Sequence, residues 1–350
     1  MPKKILEQIG MYKRWCIDIG SSYTRIMCNG KLLLNEPSMV DFRNERFDRS
    51  FYKAICKTKI KGEIRIFNAC TRPFSSCMLF DRGMVVAARA MLLSFLREKL
   101  KLNTKLQSAL FSVPTSYTRM EDNEQLLLMF MDATSVISRK THCVPSAVAA
   151  VAGLGLDIFD GIPTCVIDIG YGLTEMTIIL NGKIVASKYS AIAGDYFSQL
   201  IMDCTWKDHN IATSWEVSEK IKLDFSNEKS IESGTDVYER NKPSKEAKTV
   251  PIQYSQVKPC FEKYFERIIE PISYFIESVP QLMKEIYTNN RLFLIGGGSK
   301  LVGLKEFLEK SLQVNLNTVS EPELVVVRGL DALSKKQIIE KVELKRSKFN

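Results

Sequence analysis

Short apolar runs that end in an acid and a glycine set the pattern of this chain. Trp15-Cys16-Ile17 leads into Asp18-Ile19-Gly20, and Cys165-Val166-Ile167 leads into Asp168-Ile169-Gly170. Blocks this short, bounded by turn residues, predict buried strands. Small and hydroxylated residues follow each block, Ser21-Ser22-Tyr23-Thr24 in one copy and Tyr171-Gly172-Leu173-Thr174 in the other. A second apolar stretch comes next and ends in Asn-Gly both times, at Asn29-Gly30 and Asn181-Gly182. Asn-Gly is the strongest short signal for a two-residue hairpin turn. The copies start 150 positions apart, at 18 and 168, so the pattern predicts a duplicated α/β unit whose halves each open strand-hairpin-strand and face one another across a cleft.

Later segments fit that plan. The run Leu110-Phe111-Ser112-Val113 reads as a buried strand closed by Pro114. Residues 84–96, 121–133 and 271–287 have helical apolar spacing, and 145–153 reads as a helix of small residues with Pro145 in its favoured first position. Small side chains there allow close packing at the joint between two lobes. Residues 226–248 are polar and predict an exposed hairpin or loop. Leu292-Phe293-Leu294 reads as a strand, and Ile295-Gly296-Gly297-Gly298-Ser299 after it reads as a turn that opens a helix.

A chain of 350 residues holds two domains of ordinary size. No apolar run reaches the roughly 18 residues that cross a bilayer. After Lys3 and Lys4 only Ile5-Leu6 precede Glu7, too little for a cleavable signal. Nine cysteines without a C-x-x-C pair, several among apolar neighbours, predict reduced buried thiols in a cytoplasm. With His142 and His209 the only histidines, a zinc site or a histidine triad is not expected.

The net charge of +9 leaves three readings open: solvated basic tails, attraction to an anionic membrane surface, or nucleic acid. The basic residues gather at the two ends, at Lys3, Lys4, Lys13 and Arg14 and again at Lys335, Lys336, Lys341, Lys345, Arg346 and Lys348. They do not alternate with aromatics as a nucleic-acid stacking surface requires, so nucleic acid is not an expected partner. Two segments are candidates for the membrane: an N-terminal helix carrying Ile5, Leu6, Ile9 and Met11, and residues 100–106, where Leu100, Leu102 and Leu106 alternate with Lys101 and Lys105.

The chemistry that suits the repeated motif is phosphate binding. Glycine lets consecutive backbone amides close on an anion. A carboxylate at the strand end would be repelled by phosphate, so its natural partner is a hydrated Mg²⁺ or a polarised water. The Gly296 turn offers bare backbone to a nucleoside.

Taken in order, phosphate hairpin, second phosphate hairpin and Gly-Gly-Gly turn, the chain resembles the actin-like ATPase superfamily, and within it the MreB family of bacterial cell-shape proteins. Leu34-Asn35-Glu36-Pro37-Ser38-Met39-Val40, Val113-Pro114-Thr115-Ser116, Ile192-Ala193-Gly194-Asp195 and Leu301-Val302-Gly303-Leu304 carry the resemblance, which runs from about residue 14 to 336. It implies an α/β, actin-like fold (a duplicated ribonuclease H-like fold). The first lobe would hold residues 1–150 and 322–350, with a small subdomain near 31–80. The second would hold 151–321, with a small subdomain near 196–256.

It further implies ATP or ADP with Mg²⁺. Asp18, Gly20, Ser21, Ser22, Tyr23 and Thr24 match the first phosphate loop, and Asp168, Gly170, Tyr171, Gly172, Leu173 and Thr174 the second. Asp18 and Asp168 would hold Mg²⁺ through water, with Asp168 and Thr174 catalytic. Gly194, Glu219, Lys222, Gly296, Gly297 and Gly298 match positions around the nucleoside. Read without the resemblance, Glu219 and Lys222 are an ordinary surface ion pair one helical turn apart.

Four departures stand out. Tyr171 and Leu173 replace a glycine and a threonine of the second loop, Tyr23 stands where the family has Asn, and Val144 precedes Pro145 where the family has a water-orienting Glu. Loss of such a group costs about 10²–10⁴-fold in rate, so hydrolysis is expected to be slow or absent. The function implied is an ATP-binding cytoskeletal protein that polymerises head-to-tail into paired protofilaments. These would lie on the inner face of the cytoplasmic membrane, where adaptor and wall-synthesis proteins help it determine cell shape. The alternative is a non-filament scaffold of the same fold, a pilus- or division-associated adaptor. A sugar or acetate kinase lacks its acceptor-site acids here, and a chaperone lacks a substrate-binding domain.

Overall fold

A computed structural model describes residues 13–41, 70–74, 82–118, 123–209, 211, 213–226, 235–238, 249–336 and 338–344. The N-terminal membrane candidate at Ile5–Met11, most of the small subdomain expected near 31–80, and the basic tail from Lys345 lie outside the described residues. The chain divides into two compact units. One contains Met1–Gly161, Ile178–Val185 and Leu324–Asn350; the other contains Ile162–Thr177 and Ala186–Glu323.

In the first unit, β1 (Trp15–Ile19), β2 (Tyr23–Cys28) and β3 (Lys31–Pro37) form a meander. Two-residue strands β4 (Val40–Asp41) and β5 (Cys70–Thr71) pair with each other. Helix α1 (Arg82–Ser94) ends in a wide turn, Phe95–Lys99, before β6 (Ala109–Val113), α2 (Asn123–Thr134), β7 (Thr141–Pro145) and α3 (Ser146–Gly153). The main sheet has the order β3-β2-β1-β6-β7, with β6 and β7 parallel to β1. Ile17, Ile26, Met91, Leu92, Phe111 and Phe130 are buried against it.

The opening is repeated at the start of the second unit, with the tip of this second hairpin, Ile178–Val185, grouped with the first unit. β8 (Thr164–Ile169), β9 (Thr174–Leu180) and β10 (Lys183–Ser190) are followed by α4 (Gly194–His209), α5 (Trp215–Asp224), the ribbon β11 (Thr235–Tyr238) and β12 (Thr249–Ile252), α6 (Tyr254–Ser278), α7 (Pro280–Thr288), β13 (Leu292–Ile295) and α8 (Leu304–Leu312). Its sheet runs β10-β9-β8-β13, with β13 parallel to β8. The chain then returns to the first unit as α9 (Val325–Lys336) and α10 (Ile339–Val342).

The duplicated hairpins are present, and both Asn-Gly turns have the left-handed backbone that the dipeptide favours. Asn29 and Gly30 have φ of 52° and 85°, and Asn181 and Gly182 have 49° and 72°. In the first, Asp331 on α9 accepts a hydrogen bond from the Gly30 amide at 2.9 Å, tying the C-terminal helix to the hairpin tip.

Four sequence readings are corrected. The helix placed at 271–287 is two helices, and the first begins at Tyr254 and runs straight through Pro259 and Pro271. A mid-helix proline costs about 3 kcal/mol. Val257, Phe261, Tyr264, Ile268, Ile272 and Phe275, spaced three and four apart, are all buried, and each returns about 1.5–3 kcal/mol, so burial wins. The Gly296 turn opens one 3₁₀ turn, Gly297–Lys300, and the regular helix waits until Leu304. The leucines at 100–106 do not point outward: Leu106 is buried with its amide bonded to Ile137, and Leu100 and Leu102 pack on the core. Cys204 and Cys260 are joined as a disulfide between α4 and α6, their Cα atoms 6.5 Å apart, so not every thiol is free. Cys16, Cys143 and Cys165 do behave as structural thiols, with pKa values pushed up to about 12, chiefly by burial.

Among the described residues no helix is long and apolar enough to cross a membrane.

The small-residue helix α3 does pack closely, and its partner is α9 of the same unit. A Cβ on Gly329 would fall on the Ala149 carbonyl, and one on Gly153 on the Val325 carbonyl. Helix propensity alone makes Gly→Ala favourable by about 1 kcal/mol. Backbone cannot move aside as a flexible side chain can, so Gly329→Ala should instead cost about 2–3 kcal/mol in urea unfolding. A stabilised Gly329→Ala variant would show that the two helices are not in backbone contact.

Candidate functional site

Each strand-end motif closes with the same hydrogen bond. The Gly20 amide donates to the Tyr23 carbonyl at 3.0 Å, and the Gly170 amide donates to the Leu173 carbonyl at 2.9 Å. A Cβ at either glycine would lie 2.9 or 2.8 Å from that oxygen, closer than real Cβ contacts come. The glycines are therefore required by the turn itself. Their own amides are spent within the turn.

In the first unit, Asp18 stands at the end of β1 directly across from Arg25 on β2. Its carboxylate accepts from the Ser112 hydroxyl at 2.6 Å and lies 3.6 Å from the Arg25 guanidinium. Burial pushes the Asp18 pKa above the usual carboxylate range, and Arg25 and Ser112 oppose that shift. Ser21 is buried, and Thr24 is fully buried with its hydroxyl bonded to Ser38 at 2.8 Å. The Ser22 carbonyl accepts from the Ser38 amide at 2.8 Å. Val144 is also fully buried, beside Ser112 across the β6–β7 pair.

The second unit gathers more of the expected residues into one connected group. Asp168 and Ile169 end β8 against the Gly296 turn, where a Cβ on Gly296 would strike the Asp168 carboxylate and the Ile169 carbonyl. Gly296 has φ of 84°, a conformation that also selects glycine. Gly298 is pressed on the Ile169 side chain, while a Cβ on Gly297 would have nothing within 4 Å. Only the middle glycine thus faces open space. At the other edge, the first two amides of α4, Gly194 and Asp195, donate to the Gly170 and Tyr171 carbonyls at 3.1 and 2.8 Å. Thr174 is fully buried and gives its hydroxyl to the Ile192 carbonyl at 2.8 Å.

Glu219 and Lys222 are not a surface pair. Lys222 is buried and donates to Glu219 at 2.7 Å, the Gly194 carbonyl at 2.8 Å and Ser198 at 3.0 Å. Ser198 in turn donates to Glu219 at 2.8 Å. Tyr171 leans its ring edge-on against Trp215, 5.8 Å between centroids, with the Lys222 ammonium 5.3 Å from the Tyr171 ring. Burial pushes the nearby Asp195 pKa upward, opposed by its bond to the Tyr196 amide.

Of the two aspartates expected to hold Mg²⁺ through water, Asp168 stands beside the Gly296 turn, and Asp18 has Arg25 and Ser112 at its carboxylate. Among the described residues no cluster of three or more His, Cys, Asp or Glu side chains is placed to hold a metal.

Sequence reasoning missed Arg25, Ser112, Ser198 and Trp215. Arg25 was countable: once Gly20 bonds Tyr23, residues summing to 43 face each other, and 18 pairs with 25. Ser112 and Trp215 reach the site through separate strands and helices, and no local signal marks them.

A family model described as MreB/Mbl protein matches residues 12–342. The chain belongs to the MreB/Mbl family. It is 23% identical over 325 residues to the Escherichia coli K12 cell shape-determining protein MreB, covering 89% of this chain and 90% of that one. The crystal structure of Spiroplasma citri MreB5 bound to ADP aligns with a TM-score of 0.72 at 21% identity, over 94% of this chain and 98% of that one. A MamK double helical filament aligns at 0.68 and 20% identity, over 92% of this chain and 98% of that one. The fold of this MreB/Mbl chain is accordingly the actin-like α/β fold.

The buried Glu219–Lys222 pair makes a stability prediction. Lys222→Met leaves a carboxylate and Ser198 without their cation and should cost about 3–5 kcal/mol in urea unfolding. Adding Glu219→Gln should recover part of that loss, because the two side chains are coupled. A double-variant loss equal to the sum of the Lys222→Met and Glu219→Gln losses would mean that the pair is not coupled.

Proposed function

We propose that this chain is a nucleotide-binding cytoskeletal protein of bacterial type that assembles into filaments and takes part in setting cell shape. The observation that carries the reading is the connected group in the second unit: a glycine-closed turn, Asp168, the open backbone at Gly297 and the buried Glu219–Lys222 pair. Phosphate oxygens would meet the amides after Gly20 and Gly170, and the nucleoside would meet the backbone at Gly297. The S. citri relative bound to ADP and the MamK filament support nucleotide binding and self-assembly for this chain as well. Head-to-tail stacking of identical subunits makes an open contact, and repetition of that contact makes a filament. We place the protein in the cytoplasm, peripheral to the membrane. Its net charge of +9 favours an anionic surface.

Hydrolysis is proposed to be slow. Val144 offers no oxygen to a water, and it lies fully buried beside Ser112. Thr174, for its part, is committed to the Ile192 carbonyl. A scaffold that binds nucleotide without assembling is the second reading, and the same Val144 favours it.

Sedimentation separates the two. The protein should pellet with ATP and stay in solution without nucleotide, whereas a soluble protein under both conditions, with ATP bound, is the scaffold. Gly297→Val should weaken ATP binding at least tenfold in calorimetry while leaving the urea midpoint within error, since nothing surrounds that position. Wild-type affinity in Gly297→Val would remove the glycine turn from the site.

Phosphate release by the wild type should stay near the buffer background over an hour. Multiple turnovers within minutes would show that another residue positions the water.

A further inference from the structure

In the first hairpin a built-in cation stands beside the aspartate that was expected to hold magnesium. Asp18 and Arg25 are cross-strand partners, one at the end of β1 and the other at the start of β2. The closest approach is 3.6 Å, longer than the roughly 2.7–2.9 Å of a charge-assisted hydrogen bond. The pair is therefore a long electrostatic contact made through Nη1. Arg25 Nε is buried and has no hydrogen-bond partner. Nη1 lies 3.9 Å from where a Cβ on Gly20 would be, which puts the guanidinium over the phosphate turn itself. The Tyr23 ring, 5.9 Å from the guanidinium carbon, flanks it from within the same turn.

A buried donor without a partner costs about 1–3 kcal/mol, so this arrangement favours an incoming acceptor. Guanidinium is permanently charged, and its planar fork matches phosphate oxygens. Asp18, held by Ser112 at 2.6 Å on its other oxygen, faces the guanidinium, so a metal ion there would compete with a positive charge already in place.

We propose that Arg25 supplies the positive charge for the nucleotide's phosphates at the first hairpin, in place of a divalent cation anchored by Asp18. The inference rests on the nucleotide-binding reading above and assigns Arg25 as a phosphate-binding residue. It makes nucleotide affinity depend on Arg25 more than on Mg²⁺.

The test is calorimetric titration of the full chain with ATP, in excess Mg²⁺ and in EDTA, for the wild type, Arg25→Leu and Arg25→Lys. The wild-type Kd should change less than about threefold when Mg²⁺ is removed. Arg25→Leu should weaken binding in EDTA at least tenfold, and Arg25→Lys should recover part of it because the charge is kept and the fork is lost. The proposal is overturned by a wild-type loss of tenfold or more in EDTA, or by Arg25→Leu binding magnesium-free ATP as the wild type does. If Arg25→Leu fails to fold, as judged by its urea transition, the wild-type pair of titrations and Arg25→Lys still decide. A wild type that binds ATP in neither buffer overturns the nucleotide reading itself, a result distinct from magnesium-dependent binding.

Discussion

The bond from a strand-end glycine amide to the carbonyl three residues later organises both units. It forces the chain to reverse within two residues, which sets the register of the strands on either side. Register then decides which side chains stand opposite each other. In the first hairpin Asp18 meets Arg25, and the alternation of faces places Ile17 and Ile26 in the core. A side chain on the glycine would collide with the turn carbonyl, so the constraint is steric and needs no ligand to explain it. The functional consequence follows from geometry: the turn spends the glycine amide internally and presents the next amides at the strand end.

The two copies use this frame differently. The second copy is buttressed on both sides, by the Gly296 turn behind Asp168 and by the α4 amides bonded to the Gly170 and Tyr171 carbonyls. Lys222 holds the start of α4 through the Gly194 carbonyl and Ser198. A cation at a helix N-terminus runs against the helix dipole, and the Glu219 carboxylate 2.7 Å away balances it. Among the described residues the first copy has no comparable brace from a glycine turn. It relies on the Asp18–Arg25–Ser112 contact and on the bonds from Ser38 back to Ser22 and Thr24. A glycine turn packs against one hairpin and side-chain contacts alone brace the other among the described residues, although their own turns are alike.

How much of this was legible in the sequence depends on the range of the interaction. The strands, both Asn-Gly turns and the duplicated opening were readable, because apolar periodicity and turn chemistry act within about ten residues. The length of α6 was not, since Pro259 and Pro271 are local breakers that only a buried stripe outweighs. The disulfide between Cys204 and Cys260 joins residues 56 apart, and dispersed cysteines give no sign of their pairing. At the site, glycines, aspartates and the Glu219–Lys222 spacing could be named by resemblance. What each does could not, because burial of Lys222 and engagement of Asp18 depend on residues brought in by other elements.

Val144 shows why the distinction matters for chemistry. A valine at the position of a water-orienting carboxylate is a loss when read along the sequence. In the fold it is also an adaptation: fully buried beside Ser112, it closes the apolar end of β7 where an unpaired carboxylate would carry a desolvation cost. The neighbouring Ser112 hydroxyl, which a Glu at 144 would contest, is given to Asp18 instead, and Asp18 holds Arg25 over the phosphate turn. Val144, Ser112, Asp18 and Arg25 are thus successive neighbours, and a carboxylate at 144 would compete for the hydroxyl that Asp18 now accepts.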